Sequence, residues 1–452
     1  MRNNEGAGKT DHKAGMWPYH PDLLARPVPR YTSFPTAAEF SGAVGGADHA
    51  AALDRVRGDV SLYVHIPFCE QICWYCGCNT SRTNREERLS SYLDALHREI
   101  ALVGAALGRD VRVRRIAFGG GSPNAISPLA FVRLIDVLTL HMPLRQPVLS
   151  IEIDPRTLAP EWAMVLRCVG VTRASLGVQT LAPHLQQAIG RIQPRDTIER
   201  STALLREAGI TSLNYDLMYG LPGQSDADLA DSLAGAVDLG ADRIALFGYA
   251  HVPHLIPRQK RIDGSALPDQ AARFRMAWNG WAQLTAAGYD PVGFDHFALP
   301  ADALAVAAAE GTLRRNFQGF TEDQAPVLIG LGASAISQFP EVIVQNEKNA
   351  GRYRMLLSQD RLPGALGVAR SAADPATGLI IEHLLCRGEA KVGHDRLVRM
   401  APDLALFAER GLVAVEHDWL VLRTGGLPYA RTVAALFDPY RQDSLRRFSS
   451  AV

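Results

Sequence analysis

The stretch from Ser61 to Asn79, SLYVHIPFCEQICWYCGCN, constrains this chain more than any other. Four of the six cysteines, Cys69, Cys73, Cys76 and Cys78, lie inside a ten-residue segment of this stretch. A run rich in β-branched and aromatic residues leads into them, and the proline that follows removes a backbone donor and ends strand pairing. The sequence therefore predicts a strand that runs into a loop of thiols, and we expect the chemistry of the protein to lie there.

The spacing of Cys69, Cys73 and Cys76 is C-x3-C-x2-C. Three thiolates in one loop can ligate three irons of a [4Fe–4S] cluster, which leaves the fourth iron open to a non-protein ligand. Structural zinc with Cys78 as fourth ligand is an alternative, but such sites commonly pair two C-x2-C knuckles and there is no second one. Buried free cysteines are a third interpretation, which four thiols in ten residues disfavour. The pattern favours the cluster.

Charge and composition exclude several classes of protein function. Lys+Arg and Asp+Glu each number 47, so the net charge is zero, which argues against bulk binding of nucleic acid or anionic membranes. No stretch reaches the ~20 apolar residues of a membrane span, and the first fifteen residues lack the apolar core of a signal peptide. The clustered cysteines do not resemble a secreted disulfide framework. We expect a cytoplasmic monomer.

The 452 residues are enough for a large domain and a smaller one. Four segments are predicted: a disordered tail over 1–16, a proline-rich N-terminal arm over 17–45, a main α/β domain over 46–340, and a mainly helical C-terminal domain with a small hairpin over 341–452. In the last segment, helices followed by a hairpin resemble a winged helix. No dense basic helix accompanies them, so a packing lid is favoured over DNA binding.

Short apolar runs alternate with amphipathic stretches through the main domain, beginning with a helix over 84–107 whose leucines share one face. The predicted strands are Leu62–Ile66, Val113–Phe118, Val148–Ile153, Thr172–Val178, Ser212–Leu217 and Arg243–Tyr249. Six such units in series predict a parallel sheet with right-handed crossovers. A full barrel needs eight, and the pattern degrades after Tyr249. We therefore expect an incomplete, open (β/α)6 barrel, with a doubly wound sheet as the alternative because sequence alone does not set strand order.

The cysteine spacing at the end of the first strand resembles the signature of radical S-adenosylmethionine (SAM) enzymes, in which the open iron binds SAM. Further segments are similar to the oxygen-independent coproporphyrinogen III oxidase family of haem biosynthesis. They are Arg30–Thr36 (RYTSFPT), Tyr63–Cys69 (YVHIPFC), Cys76–Asn79 (CGCN), Gly177–Gln179 (GVQ), Asp216–Pro222 (DLMYGLP), Tyr249–His251 (YAH), Asp295–Phe297 (DHF) and Arg315–Gly319 (RNFQG). Together they span about residues 30 to 340.

The resemblance implies a role for residues at the predicted strand ends, the rim on which such barrels build active sites. A first, cluster-bound SAM would contact Tyr63, Tyr75, Gly120, Glu152, Ala250 and Ile336. A second SAM would contact Gly121, Ser122, Gln179, Arg191 and Asp216. Cys69, Cys73 and Cys76 would be the cluster ligands, and Cys78 a functional residue that is not a ligand. Taken alone, the glycine run could equally be a tight strand–helix turn. Ser122, Thr180 and Gly190 depart from the usual family pattern, which puts the fine tuning of the second SAM pocket in doubt.

The implied reaction is oxidative decarboxylation of two propionates of coproporphyrinogen III to vinyl groups, giving protoporphyrinogen IX. A related radical SAM haem chaperone or haem-modifying enzyme is the alternative, and the presence of Cys78 favours the oxidase. Arginine suits carboxylates because its planar fork binds them bidentately. The propionate candidates are Arg30, Arg258, Lys260, Arg261 and Arg315. Only Cys168 and Cys386 lie outside the motif, so an external flavodoxin- or ferredoxin-type donor is expected.

Overall fold

The computed structural model describes residues 15–82 and 86–441. Nearly all of the predicted tail lies outside these residues, as do the first two residues of the predicted helix over 84–107. The arm contains α1 (Pro21–Leu24), and α2 (Gly46–Asp54) directly follows it. The Trp17 ring lies 5.2 Å from that of Trp278 and 5.7 Å from that of Trp281, which anchors the arm on the main domain.

Six βα units follow the arm. Their elements are β1 (Asp59–Ile66), β2 (Phe68–Cys69), β3 (Ser81–Arg82), α3 (Glu86–Ala106), β4 (Arg112–Gly120), α4 (Pro128–His141), β5 (Leu144–Ile153), α5 (Pro160–Val169), β6 (Val171–Gln179), α6 (Pro183–Ala188), α7 (Arg195–Glu207), β7 (Ser212–Tyr219), α8 (Asp226–Asp238) and β8 (Arg243–Gly248). Each predicted strand is present, and Leu144–Ile153 begins four residues earlier than expected.

The main sheet has the strand order of a partial barrel. β1, β4, β5, β6, β7 and β8 pair in parallel, each with the next. Strand order therefore follows chain order through these units, whereas a doubly wound sheet reverses direction at a switch point. The partial barrel is confirmed, and the carboxyl ends of its strands meet at one rim.

The sheet continues on both sides of the six strands. The elements after β8 are α9 (Gln270–Ala286), β9 (Asp290–Val292), β10 (His296–Ala298), α10 (Ala303–Ala309), β11 (Arg314–Asn316), β12 (Gly319–Thr321), β13 (Val327–Leu331), β14 (Ile336–Gln338), β15 (Val342–Asn346), α11 (Ala350–Ser358) and β16 (Gly364–Ala369). β13 pairs in parallel with β1, and β14 to β16 extend that edge, while β10 and β9 extend the other beyond β8. In the part of the chain that is described, the two edge strands do not pair, so the sheet is open. The domain boundary at 340 stays a prediction, and the sheet itself runs on to Ala369.

The C-terminal region is mainly helical and packs against the arm. Its elements are α12 (Asp374–Arg387), β17 (Glu389–Lys391), α13 (His394–Glu409), β18 (Val413–Glu416), β19 (Trp419–Leu422) and α14 (Ala430–Ala434). The predicted hairpin is β18–β19, to which β17 adds a third strand. Tyr429 Oη accepts from His20 N at 2.8 Å and donates to Pro18 O at 2.7 Å. Both ends of the described chain therefore meet. None of its described helices has the length and apolar character needed to cross a bilayer.

A buried carboxylate ties α3 to the sheet behind the end of β1. Glu99 accepts hydrogen bonds from Tyr353 Oη at 2.5 Å, Gly332 N at 2.6 Å and Asn346 Nδ2 at 2.7 Å. Two turns away on α3, the Tyr92 hydroxyl donates to the His65 carbonyl at 2.7 Å. α3 thus fixes the strand that leads into the cysteine loop.

This carboxylate makes stability depend on pH. Burial raises the pKa of Glu99 to about 7, although its three hydrogen bonds act to lower it. Because the folded pKa exceeds the unfolded value, the folded state binds more protons between about pH 4.5 and 7. We expect the Glu99 contribution to be fully present below that window and to fall through it by up to roughly 3 kcal/mol.

Chemical denaturation from pH 4.5 to 8 measures this effect. The free energy of unfolding of Glu99→Gln should change less with pH than that of the wild type across this window. Glu409→Gln, at an exposed position on α13, is the matched control and should keep the wild-type pH profile. An identical pH profile for Glu99→Gln and the wild type would contradict the assignment.

Candidate active site

The four clustered cysteines lie on a loop that is closed at its base. β1 ends at Ile66, and β2 then pairs in parallel with β3, so the loop returns to the strand end that it left. Trp74 N donates to Ile189 O at 3.1 Å, and Gln259 Nε2 donates to Tyr75 O at 2.9 Å. These contacts fix the middle of the loop, and with it the positions of the thiols.

The loop and the ends of β4, β5, β6 and β7 enclose one cavity of ≈ 190 Å³, which we call the cluster cavity. Most predicted site residues line it. They are Cys69, Cys73, Tyr75, Cys76, Cys78, Gly120, Gly121, Ser122, Glu152, Gln179, Arg191 and Asp216. Because the carboxyl ends of parallel strands share one rim, side chains from distant parts of the sequence converge here.

Donors surround two of the sulfur atoms. Arg191 Nη1 donates to Cys73 Sγ at 3.2 Å, and Arg156 Nη2 donates to the same sulfur at 3.6 Å. The Cys78 backbone N–H donates to Cys76 Sγ at 3.4 Å. Neighbouring cations and hydrogen bonds stabilise thiolates over thiols. The loop is therefore suited to carry negative charge on its sulfurs.

The thiols differ in acidity. A hydrogen bond with Cys78 is the largest effect that lowers the pKa of Cys76, to about 6, against burial that raises it. Burial raises the pKa of Cys69 to about 11. The hydrogen bond with Cys76 raises the pKa of Cys78 well above its usual range. Metal binding requires deprotonated cysteine ligands and releases their protons. Loading a metal centre here would therefore release a proton from Cys69.

Glu152 and Gly120 meet at the centre of the cavity. Gly120 N donates to Glu152 Oε2 at 3.1 Å. Gly120 has a φ of 109°, and a Cβ there would lie 2.4 Å from the His65 ring, so only glycine fits. Burial raises the pKa of Glu152 to about 7. The site thus holds a carboxylate that an ammonium group would keep ionised.

A buried charge network lies on one side of the cluster cavity. Arg191 donates to Gly177 O through Nε at 3.1 Å and Nη2 at 2.7 Å, and Nη2 lies 3.4 Å from Asp154 Oδ1. Arg156 Nη2 donates to Asp154 Oδ2 at 2.5 Å. Burial raises the pKa of Asp154, but the two guanidinium groups outweigh it and the net shift is downward. Asp154 is therefore a permanent anion that holds both cations near Cys73.

On the opposite side, Asp216 projects from β7. Its carboxylate accepts from Ser175 Oγ at 3.0 Å and from Asn214 Nδ2 at 2.8 Å. Burial raises the pKa of Asp216, and these two hydrogen bonds offset the rise only in part. Asp216 is therefore a half-buried acceptor held in one orientation.

A larger cavity of ≈ 410 Å³, which we call the lumen, occupies the interior of the barrel. It shares Cys78, Glu152, Ser175 and Asp216 with the cluster cavity. Its walls include the rings of Phe247, His296 and Phe320. Ion pairs close the lumen at the amino ends of the strands, Arg115 with Glu322 at 2.8 Å and Arg243 with Asp302 at 2.7 Å. The lumen thus offers an organic substrate a site beside the cluster cavity.

Three residues of the predicted first SAM site are not among those that line the cluster cavity. Tyr63 lies next to the cluster cavity, and its Oη is 3.1 Å from His65 Nδ1. Burial, and then the charge of Glu152, raise the pKa of Tyr63. Ala250 lines a separate small cavity, and Ile336 begins β14.

The predicted propionate ligands divide into two groups. Arg30 lines the same small cavity as Ala250, and Arg315 donates to the Arg30 carbonyl at 3.1 Å. Arg258 Nη2 instead lies 3.5 Å from the Cys78 carbonyl. Lys260 and Arg261 are exposed. These last three residues are not among those that line the lumen or the small cavity.

Sequence reasoning missed several polar residues of the site. Asp154 and Arg156 follow Glu152 at alternate positions directly after β5. Asn214 lies two residues before Asp216 on β7, so the two-residue period of a strand could have found it. Ser175 lies four residues before Gln179 on β6, with a break in register between Gly177 and Gln179. Thr80 Oγ1, which lies 3.2 Å from Cys69 Sγ, follows the motif without any signal of its own.

Comparison with known proteins agrees with this geometry. The family model of the radical SAM superfamily matches residues 63–234. The chain is 40% identical over 437 residues to oxygen-independent coproporphyrinogen III oxidase of Bradyrhizobium diazoefficiens, covering 94% of this chain and 97% of that protein. It is 37% identical over 441 residues to the protein of the same name from Pseudomonas aeruginosa, covering 94% and 96%.

A solved structure matches over the same extent. Coproporphyrinogen III oxidase from Escherichia coli, described as a radical SAM enzyme, superposes with a TM-score of 0.88 at 33% identity. The match covers 94% of this chain and all of that one. Similarity of sequence and fold thus extends across the arm, the barrel and the C-terminal region. The chain belongs to the oxygen-independent coproporphyrinogen III oxidase family of the radical SAM superfamily.

Proposed function

We propose that this chain converts coproporphyrinogen III to protoporphyrinogen IX without oxygen, by oxidative decarboxylation of two propionates to vinyl groups. The observation that carries the proposal is the junction between the cluster cavity and the lumen, which share Cys78, Glu152 and Asp216. A substrate in the lumen would lie against the groups that hold the cofactors. The names of relatives that align along most of the chain support the same reaction.

The residues present fit a [4Fe–4S] cluster and SAM, the cofactors of this superfamily. Cys69, Cys73 and Cys76 would hold the cluster, since all three line one cavity and two guanidinium groups offset thiolate charge there. When bound, the cluster and SAM supply the 5′-deoxyadenosyl radical for hydrogen-atom abstraction. Each propionate loses one hydrogen atom from its β-carbon, then carbon dioxide and one electron, and becomes a vinyl group.

The protein's own part is to bind, orient and exclude water. In this proposal the first SAM contacts Gly120, Glu152 and Tyr75, and Tyr63, Ala250 and Ile336 complete its surroundings. The Glu152 carboxylate suits its amino group, since Glu152 lines the cluster cavity and its hydrogen bond from Gly120 N uses only Oε2. Gly121, Ser122, Gln179, Arg191 and Asp216 are assigned to the second SAM. The arm and the region 341–452 act as lids that exclude water.

We assign Cys78 a role outside the ligand set. It lines both the cluster cavity and the lumen, so it faces the substrate and the cofactors together. Three cysteines and SAM complete the coordination of a four-iron cluster, and a fourth thiolate is not needed.

Cys78→Ser should therefore keep wild-type iron content and SAM cleavage but lose most decarboxylation. We would measure three quantities on the same anaerobic sample: the iron content, the yield of 5′-deoxyadenosine and the amount of each porphyrin product. Cys168→Ser, at an exposed position on α5, is the control and should retain all three. Loss of iron from Cys78→Ser alone would show that Cys78 is a ligand.

The net charge and the number of cysteines indicate which partners the protein needs and which it does not bind. An external one-electron donor of flavodoxin or ferredoxin type must reduce the cluster, because Cys168 and Cys386 are too few to hold a second one. The net charge of zero disfavours nucleic acid and membrane partners. We infer a monomer that works in the cytoplasm.

An anaerobic assay tests the function. Protein reconstituted with iron and sulfide is incubated with SAM, a chemical reductant and coproporphyrinogen III, and the porphyrins are separated after oxidation. The proposal predicts a product with two vinyl groups and two remaining propionates. SAM cleavage without decarboxylation, combined with stoichiometric haem binding, would instead indicate a haem-handling relative.

A further inference from the structure

A small cavity of ≈ 60 Å³ lies between the arm, the end of β8, α9 and residues 427–431. Three guanidinium groups line it, those of Arg30, Arg273 and Arg431, which come from three separate parts of the chain. Among the described residues that line this arginine cavity, Asp295 is the only carboxylate. Such a convergence of cations is typical of an anion site.

The guanidinium groups are held in place. Arg30 Nη2 donates to Gly248 O at 3.2 Å. A Cβ on Gly248 would lie 3.3 Å from Arg273 Nη2, so that group packs directly against the strand end. The guanidinium of Arg431 lies 5.3 Å from the centre of the Phe294 ring. A cavity with fixed donors binds a ligand at a lower entropic cost than flexible surface cations do.

The local electrostatics favour a further negative charge. Burial, and then the charge of Arg30, lower the pKa of both Arg273 and Arg431, the latter to about 10. Tyr219 and Asp295 act in the opposite direction on Arg431. Asp295 is already engaged, since its Oδ1 lies 2.7 Å from His296 Nδ1. A bound carboxylate would reduce the repulsion of Arg30 with Arg273 and with Arg431.

A fourth arginine, Arg315, supports the arm beside this cavity. Arg315 donates to the carbonyl of Arg30 through Nε at 3.3 Å and Nη2 at 3.1 Å. Its guanidinium lies 4.3 Å from the centre of the Phe320 ring, which belongs to the wall of the lumen. Among the described residues, Arg315 Nη1 has no hydrogen-bond partner. Arg315 thus positions Arg30 through the backbone of the arm.

The arginine cavity and the lumen lie on opposite faces of the same strands. On β8, Phe247 faces the lumen, while Leu246 and Gly248 line the arginine cavity. Arg30 bridges the two, because its guanidinium lies 5.6 Å from the centre of the Phe247 ring. A substituent of a ligand in the lumen that extends past Phe247 would therefore contact Arg30 first.

We propose that Arg30, Arg273 and Arg431 bind a propionate of the substrate that is not reacting, and so set which propionates reach the cluster cavity. The assignment rests on the proposed function, because a coproporphyrinogen carries four propionates and only two react. It also divides the predicted propionate ligands. Arg30 lines this subsite, and Arg315 supports it from outside through its hydrogen bonds to the Arg30 carbonyl. Arg258, Lys260 and Arg261 are not among the residues that line it.

The test compares Arg273→Gln and Arg431→Gln with the wild type, all full-length and reconstituted. Loss of a charged hydrogen bond to the substrate should raise KM for coproporphyrinogen III roughly ten- to a hundredfold. Iron content and the KM for SAM should stay at wild-type values, and Arg431→Lys should recover part of the affinity. Arg167→Gln, an exposed arginine on α5, is the matched control. An unchanged KM in both glutamine variants would overturn the subsite.

A binding measurement separates this inference from the proposed function and identifies the source of the carboxylate. Fluorescence quenching follows binding of coproporphyrin III and of its tetramethyl ester, with free propionate as competitor. The subsite predicts that the glutamine variants weaken binding of the acid and leave binding of the ester unchanged, even if the wild type shows no turnover. Equal weakening of acid and ester would overturn it. If millimolar free propionate abolishes binding of the acid, the cavity is a general anion site. That result would overturn the subsite as well.

Discussion

Replacing Cys73 with serine will remove the iron of this protein and with it every later step. Cys73 is the buried member of the proposed ligand set, and its sulfur receives hydrogen bonds from both Arg191 and Arg156. A serine hydroxyl does not ionise near neutral pH and is a poor ligand for a cluster held by thiolates. We expect iron to fall from about four to fewer than one per chain.

The measurement is iron and sulfide analysis after anaerobic reconstitution, with the absorption spectrum and the yield of 5′-deoxyadenosine. Cys168→Ser separates loss of a ligand from general damage, because it removes an exposed thiol outside the cluster cavity. Thermal unfolding shows whether both variants are folded. A Cys73→Ser protein that keeps four irons and cleaves SAM would refute the ligand assignment, and zinc without iron in the wild type would refute the cluster itself.

Arg191→Ala should produce the second-largest effect, on stability and on activity together. The substitution removes a guanidinium that is 8% exposed and leaves Asp154, at 7%, with Arg156 alone. Breaking a buried ion pair costs about 3 to 5 kcal/mol. We expect about 3 kcal/mol, the lower end of this range, because Arg156 still pairs with Asp154.

Activity should fall further than this loss of stability explains. Arg191 also donates to Cys73 Sγ, and outer contacts to metal ligands typically contribute 10- to 100-fold in activity or metal affinity. Denaturation and steady-state kinetics with SAM as the varied substrate measure the two effects. Arg191→Lys should recover charge but not the fork that spans Gly177 O and Asp154. Arg195→Ala, at an exposed i,i+4 pair with Glu199, should cost no more than about 0.5 kcal/mol. Equal effects of the two alanine variants would contradict the role of Arg191.

The barrel was predictable because its pattern is local. Each strand is a short apolar run followed by an amphipathic helix, and six repeats restrict the topology to a parallel sheet. Strand order was not predictable, because it depends on which surfaces meet after the helices have packed. The strands from β9 to β17 were missed since they are three to six residues long, and the alternation that marks a strand is weak over so few positions.

The candidate site divides in the same way. The cysteines, Glu152 and Asp216 follow directly from motifs and strand ends, and the structure brings them together in one cavity. Asp154 with Arg156 and the arginine cavity were not predictable, because their significance lies in spatial partners far away in sequence. Arg273 and Arg431 are 158 residues apart and meet Arg30 only when the arm docks.

The contacts between the two ends of the chain have a consequence for how the enzyme is made. Tyr429 bonds the backbone of His20 and Pro18, and Asp438 accepts from the Tyr31 hydroxyl at 3.0 Å. On the ribosome, the strands over 59–248 emerge well before these partners do, since a chain is synthesised from its N-terminus. The arm precedes the barrel in the chain but is therefore among the last parts to dock. This order leaves the cysteine loop accessible before the arm and the C-terminal region are in place.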